Sequence, residues 1–197
     1  MIVLEISATV LGLLQALFVL LNKRLNWVFY ILQMICMIIF SLKNKFYGDV
    51  SNNCIYLIFG IIGFITWGSS KPLSITICTL KEKLIYILLI TLSTIILHMI
   101  LKQTQDPKPL IDAFTTTSSF VATYYMVKRK LDTWIIWFVN DIAYSIQYIL
   151  LDNPAYYLMA LNIIWTFMAI ASYQNWLKII RKEKLWKKYT LQANLTK

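Results

Sequence analysis

Along 133–148 the side-chain types and their spacing mark a binding face rather than a reactive centre. Trp134, Trp137, Asp141, Tyr144 and Tyr148 fall at i, i+3, i+7, i+10 and i+14, one stripe of an α-helix, with Asn140 beside it. Two indoles, two phenols and a carboxylate on one face suit a flat, hydrogen-bonding ligand, and a cation in particular. A cation over an indole gains about 0.5–2 kcal/mol, and Asp141 adds charge attraction. The competing reading is an aromatic packing face with Asp141 bonded to a neighbouring helix. Asn53, Tyr56, Gly60, Gly63 and Trp67 repeat the spacing upstream. Their glycines admit either a ligand or simply another helix. Asn26, Tyr30 and Gln33 share a further face and are secondary candidates; Asn162, Trp165 and Ala169 share another. Amides among aromatics suit a ribose or a carboxamide better than a bare ion.

Enzyme chemistry has little to work with. There is no HExxH, P-loop or GxSxG pattern. His98 is the single histidine and reads as a packed residue before it reads as a proton relay. Cys36, Cys54 and Cys78 lack CxxC spacing, so they read as packing residues. No catalytic residue, metal or cofactor is expected, and the missing P-loop argues against direct use of ATP.

These faces need helices to carry them. The chain is 59% hydrophobic and 14% charged, where soluble domains carry about 25% charged residues. A bilayer span takes about 20 apolar residues, and seven stretches qualify: 2–22, 26–42, 52–68, 83–102, 112–128, 133–151 and 155–178. The fifth is the most polar. Its run of hydroxyls, Thr115 to Ser119, is expected to bond back onto carbonyls one turn earlier. No cleavable leader is expected, because the first span carries Glu5 and lacks a basic start. Glu5 and Asp112 stand near helix N-termini, where acidic groups are stabilising anyway.

The net charge of +10 is unevenly placed. Lys23 and Arg24 follow span one; Lys71, Lys81 and Lys83 follow span three; Lys128, Arg129 and Lys130 follow span five. A basic segment from Lys178 to Lys197 follows span seven, and only Lys43, Lys45, Lys102 and Lys108 fall on the other side. Basic flanks stay cytoplasmic, so the N-terminus is expected outside and the C-terminus inside, with the tail near anionic lipid. Because the basic residues sit where topology needs them, nucleic acid is not an expected partner.

Two parts of the chain align, as an internal repeat or through the tryptophans and tyrosines that gather at membrane interfaces anyway. Trp27 aligns with Trp134, Tyr30 with Trp137, Gln33 with Asn140, Tyr56 with Trp165, Gly63 with Ser172, Phe64 with Tyr173 and Trp67 with Trp176. Spans one to three then match five to seven, with span four as connector. An odd connector gives both triplets one orientation, a parallel repeat with a solute path between bundles. The expected organisation is an all-α membrane protein: 1–70 a first three-helix bundle, 71–107 a connector with a linker helix, 108–178 a second bundle, 179–197 a basic cytoplasmic tail.

Several motifs follow one another in order: Glu5 to Leu14 (E-x-x-x-T-x-x-G-L-L), Asn26-Trp27, Phe46-Tyr47-Gly48-Asp49, and Gly63 with Trp67. Asp112 with Ser119 and Ala122, Trp134-Ile-Ile-Trp137 followed by Asp141, and Thr166-Phe167 with Trp176 complete them. Taken together they resemble the PnuC family of vitamin transporters. The resemblance implies a SWEET-like 3+1+3 fold, a homotrimer, and facilitated diffusion. It also implies trapping of the imported vitamin by a cytoplasmic kinase. Asn53 stands where relatives often have Gln, and Phe64 replaces a Trp; both bear on the pocket. The implied substrates are nicotinamide riboside, thiamine, riboflavin and deoxynucleosides. Asp141 favours the two with a ring cation, nicotinamide riboside first and thiamine second. Proton coupling through Asp141 or His98, and a vitamin binder that does not transport, are the other readings.

Overall fold

The computed structural model describes residues 2–43, 47–68, 74–104, 106–150 and 156–195. Seven helices account for nearly all of them: α1 (Ile2–Leu20), α2 (Leu25–Lys43), α3 (Tyr47–Trp67), α4 (Leu80–Leu101), α5 (Pro109–Val127), α6 (Thr133–Ile149) and α7 (Tyr156–Leu195). Lys45, Phe46 and Lys71 lie outside the described residues, and nothing is described of the Glu5 or Asp49 side chains.

Local chemistry sets the helix ends. Thr79 and Glu82 form a reciprocal capping box at the start of α4, and Pro109 opens α5. The connections after α1 and α5 both pass through a left-handed residue, Asn22 (φ 54°) and Arg129 (φ 51°).

Six helices close a ring in the order α1, α2, α3, α5, α6, α7 and back to α1; α4 stands outside it, against α5. The apolar surface is turned outward. Leu13, Leu17, Ile39, Ile58, Ile65, Leu88, Ile96 and Phe167 are exposed, an arrangement stable only in lipid. By length and composition α2, α4 and 50–67 of α3 can each cross a bilayer, and 6–20 of α1 is a shorter apolar helix.

The polar α5 is the helix that touches α3, α4 and α6. Its hydroxyls bond back as expected: Thr117 Oγ1 to the Ala113 carbonyl (2.9 Å), Ser118 Oγ to Phe114 (2.6 Å), Thr123 Oγ1 to Ser119 (2.8 Å). Thr117 also meets Thr94 of α4 at 2.7 Å. With lipid largely kept away from it, α5 does not need the hydropathy of an ordinary span.

α7 continues where a separate tail was expected. It runs unbroken for 40 residues, about 60 Å at 1.5 Å per residue. Ile180 is buried in the core beyond the expected span end, with Leu177 and Ile179 packed beside it. Apolar contacts therefore hold the helix at least as far as Ile180.

Candidate functional site

The triplets α1–α3 and α5–α7 meet along two seams, α3 with α5 and α1 with α7. The seams are built alike. Trp67 of α3 donates its indole N–H to the Val127 carbonyl of α5 (3.1 Å), and Trp176 of α7 donates to the Val19 carbonyl of α1 (3.2 Å). Trp27 packs edge-on against Trp67 (5.6 Å, 85°), as Trp134 does against Trp176 (5.3 Å, 88°). Trp67 and Trp176 touch at 5.9 Å, which joins four indoles into one plug. Asn175 reinforces this end through the Leu20 carbonyl (2.7 Å).

Most of the basic connections gather here. Arg24 donates to the Phe64 carbonyl and stacks on its ring at 3.7 Å; Arg129 lies 4.2 Å over Trp67. Thr76 bridges to Lys130. Cys78 N–H donates to Asp132 (2.7 Å), and Lys83 pairs with the same buried carboxylate at 3.3 Å. The α3–α4 connection is thus fastened to the α5–α6 turn. The Cys78 thiol is pushed up to about 12, first by burial and then by the Asp132 charge.

Inside the ring, next to this plug, lies a cavity of about 250 Å³. α6 supplies Trp134, Trp137, Asp141 and Tyr144 from the stripe of the sequence reading; α7 supplies Asn162 and Trp165, and α2 supplies Tyr30. Asp141 is the charged side chain of this wall, and no hydrogen-bond donor or opposing charge among the described residues meets its carboxylate. The indole N–H groups of Trp134 and Trp137 and the Ser172 hydroxyl, all on wall residues, are also buried with no partner among the described residues. Buried polar groups are nearly always paired, so such a collection around one cavity is what a polar ligand site requires.

Other candidates stand elsewhere. Tyr56 is turned to α5, its hydroxyl 2.5 Å from Ser119 Oγ and its ring against Phe120. Asn140, fully buried, donates to the Thr115 carbonyl (2.8 Å) and to Ser118 Oγ (2.9 Å). Asn26 caps locally onto the Lys23 carbonyl (2.7 Å). Trp67 and Phe64 belong to the plug end, Asn53 is buried on α3, and Gln33 lines a different cavity. Conversely, Gln15, Thr123 and Ser172 line the main cavity without having been candidates. Gln15 carried a signal, an isolated amide in an otherwise apolar span. Ser172 carried one too, through its alignment with Gly63.

The family model for nicotinamide mononucleotide transporters matches residues 2–178. The chain belongs to this family. A curated relative, the nicotinamide riboside transporter PnuC of Neisseria mucosa, is 22% identical over 189 residues, covering 89% of this chain and 72% of that one. A solved structure described as the crystal structure of the vitamin B3 transporter PnuC shares the fold, with a TM-score of 0.71 and 21% identity. It covers 91% of this chain and 82% of its own. Together with the outward apolar surface, membership of this family makes the protein a multi-pass membrane transporter of the PnuC family and not an enzyme.

Proposed function

We propose that the protein imports nicotinamide riboside across the inner membrane by facilitated diffusion, and that a cytoplasmic kinase traps the product. The carrying observation is Asp141, a carboxylate that shares the cavity wall with the Trp134 and Trp137 indoles and has no partner among the described residues, in a chain of this family. A pyridinium ring would take the aromatic walls, its cation Asp141, and its ribose and carboxamide the Gln15, Asn162 and Ser172 groups. The same features serve thiamine, the second reading, which also carries a ring cation. Riboflavin and deoxynucleosides bring no cation to pair with Asp141. His98 lies on α4, outside the cavity wall, which favours diffusion over a proton relay through it.

A parallel 3+1+3 repeat of SWEET type is part of this reading. Its support is the matched pair of seams, with Trp67 and Val127 answering Trp176 and Val19. The basic connections at the plug end support a cytoplasmic plug, with the N-terminus outside. A homotrimer remains the family's implication, with the apolar outer faces available for it.

The test is uptake into proteoliposomes of nicotinamide riboside, thiamine, riboflavin and thymidine in parallel. Nicotinamide riboside should equilibrate without a gradient and resist a protonophore. Asp141→Asn should weaken its binding tenfold to a hundredfold, on the order of 1–3 kcal/mol for a charge pair at an effective dielectric near 20. Unchanged binding by that variant removes the cation argument. Uptake of riboflavin alone replaces the substrate.

A further inference from the structure

A second cavity, about 270 Å³, is lined by α1, α2 and α7. Its position follows from the helix faces. On α2 the residues Tyr30, Gln33, Met37 and Phe40 form one stripe; Tyr30 lines the first cavity and the other three line the second. On α1 the wall passes from Ala16 in the first to Gly12 and Ala8 in the second. On α7, Leu161 belongs to the second cavity and Trp165 to both. The two chambers therefore stand in series with Trp165 between them. The indole plug closes the far end of the first chamber, at the α1 C-terminus, and the second lies toward the α1 N-terminus.

The second chamber carries a binding signal of its own. Among the described residues the Gln33 side-chain amide has no hydrogen-bond partner, yet it stands on the wall. An amide in the membrane interior is costly unless something meets it. Gly12 gives it room: a Cβ there would lie 2.6 Å from Gln33 Nε2. Met37, Phe40 and Trp165 add apolar and aromatic surface, and none of the described wall residues is charged.

We propose that this chamber is a second binding site, an antechamber that holds the aromatic, amide-bonding ring of the ligand before it passes Trp165 into the Asp141 cavity. Gln33 is its hydrogen-bonding group, and Trp165 is the positioning wall the two sites share. The chamber selects for a flat ring with a hydrogen-bonding edge, whereas Asp141 selects for its charge. The proposal rests on the transport reading above.

The test pairs two measurements on the full chain with nicotinamide riboside as probe: equilibrium binding by tryptophan quenching, and initial uptake rate in proteoliposomes at subsaturating ligand. Gln33→Leu should keep equilibrium affinity within twofold and slow uptake about five- to tenfold, the range of one lost hydrogen bond. Uptake at the wild-type rate overturns the proposal. So does an equal loss of affinity and rate, which would merge Gln33 with the main site. If Gln33→Leu does not purify as a monodisperse protein, Met37→Trp, which fills the chamber from α2, is judged by the same outcomes. Failure of the wild type to bind nicotinamide riboside would instead sink the transport reading, a result distinct from either.

Discussion

The paired seams make a quantitative claim: Trp67 and Trp176 do the same work on opposite sides of the ring. Replacing either by Phe removes one buried interhelical hydrogen bond, of 3.1 Å or 3.2 Å. Such bonds average about 0.6 kcal/mol within membranes and reach about 1.7. The smaller ring leaves roughly 40 Å³ unfilled, at about 24 cal/mol per Å³ another 1 kcal/mol. Each variant should therefore lose about 2 kcal/mol. For a chain of this size that lowers the melting temperature about 4–8 °C, read by thermal unfolding in detergent. The two losses should agree to within about 0.5 kcal/mol. Because the rings touch at 5.9 Å, the double variant should depart from additivity by about 0.5–1.5 kcal/mol. Trp186→Phe, at a residue 68% exposed, should be near neutral. A large loss at one tryptophan with none at the other would refute the equivalence of the seams.

Further outcomes follow from the same contacts. Asn140→Leu should destabilise the protein by about 1–3 kcal/mol, because two partners on α5 lose their donor. Ligand affinity per folded molecule should stay unchanged, and a selective loss of affinity would return Asn140 to the site. Gly63→Ala should cost about 1–3 kcal/mol by overpacking, since its Cβ would lie 2.5 Å from the Trp27 ring; denaturation of the purified variant measures this. Cys78, raised to about 12, should resist maleimide at pH 8 by orders of magnitude relative to a free thiol. In a Cys36→Ala, Cys54→Ala background, Asp132→Asn should raise its rate by removing the second cause of that shift. Labelling as fast as free cysteine would contradict the burial.

Much of the fold was written in periodicity. Span ends fell within a few residues of the helices, because apolar runs and basic flanks report the bilayer directly. The hydroxyls of α5 were legible as well, since a Thr or Ser in a helix has its own carbonyl ladder one turn away. α7 was cut short for the opposite reason. Lys178, Arg181 and Lys182 read as a membrane exit, and nothing local announces that Ile180 finds the core.

The site divides along the same line. Sequence alone determined that Trp134, Trp137, Asp141 and Tyr144 share a face, because 3.6-residue periodicity is intrinsic to the helix. It also aligned Trp67 with Trp176, but that their rings meet is a fact of the packing. Only the tertiary structure decided what each face meets. Asn140 is one residue from Asp141, yet a rotation of 100° turns it from the cavity to α5. Tyr56 and Trp165 align when the two parts of the chain are compared, but one is taken by Ser119 and the other stands between two chambers. Which amides stay unpaired depends on neighbours that are far away in the chain, and that decision belongs to packing.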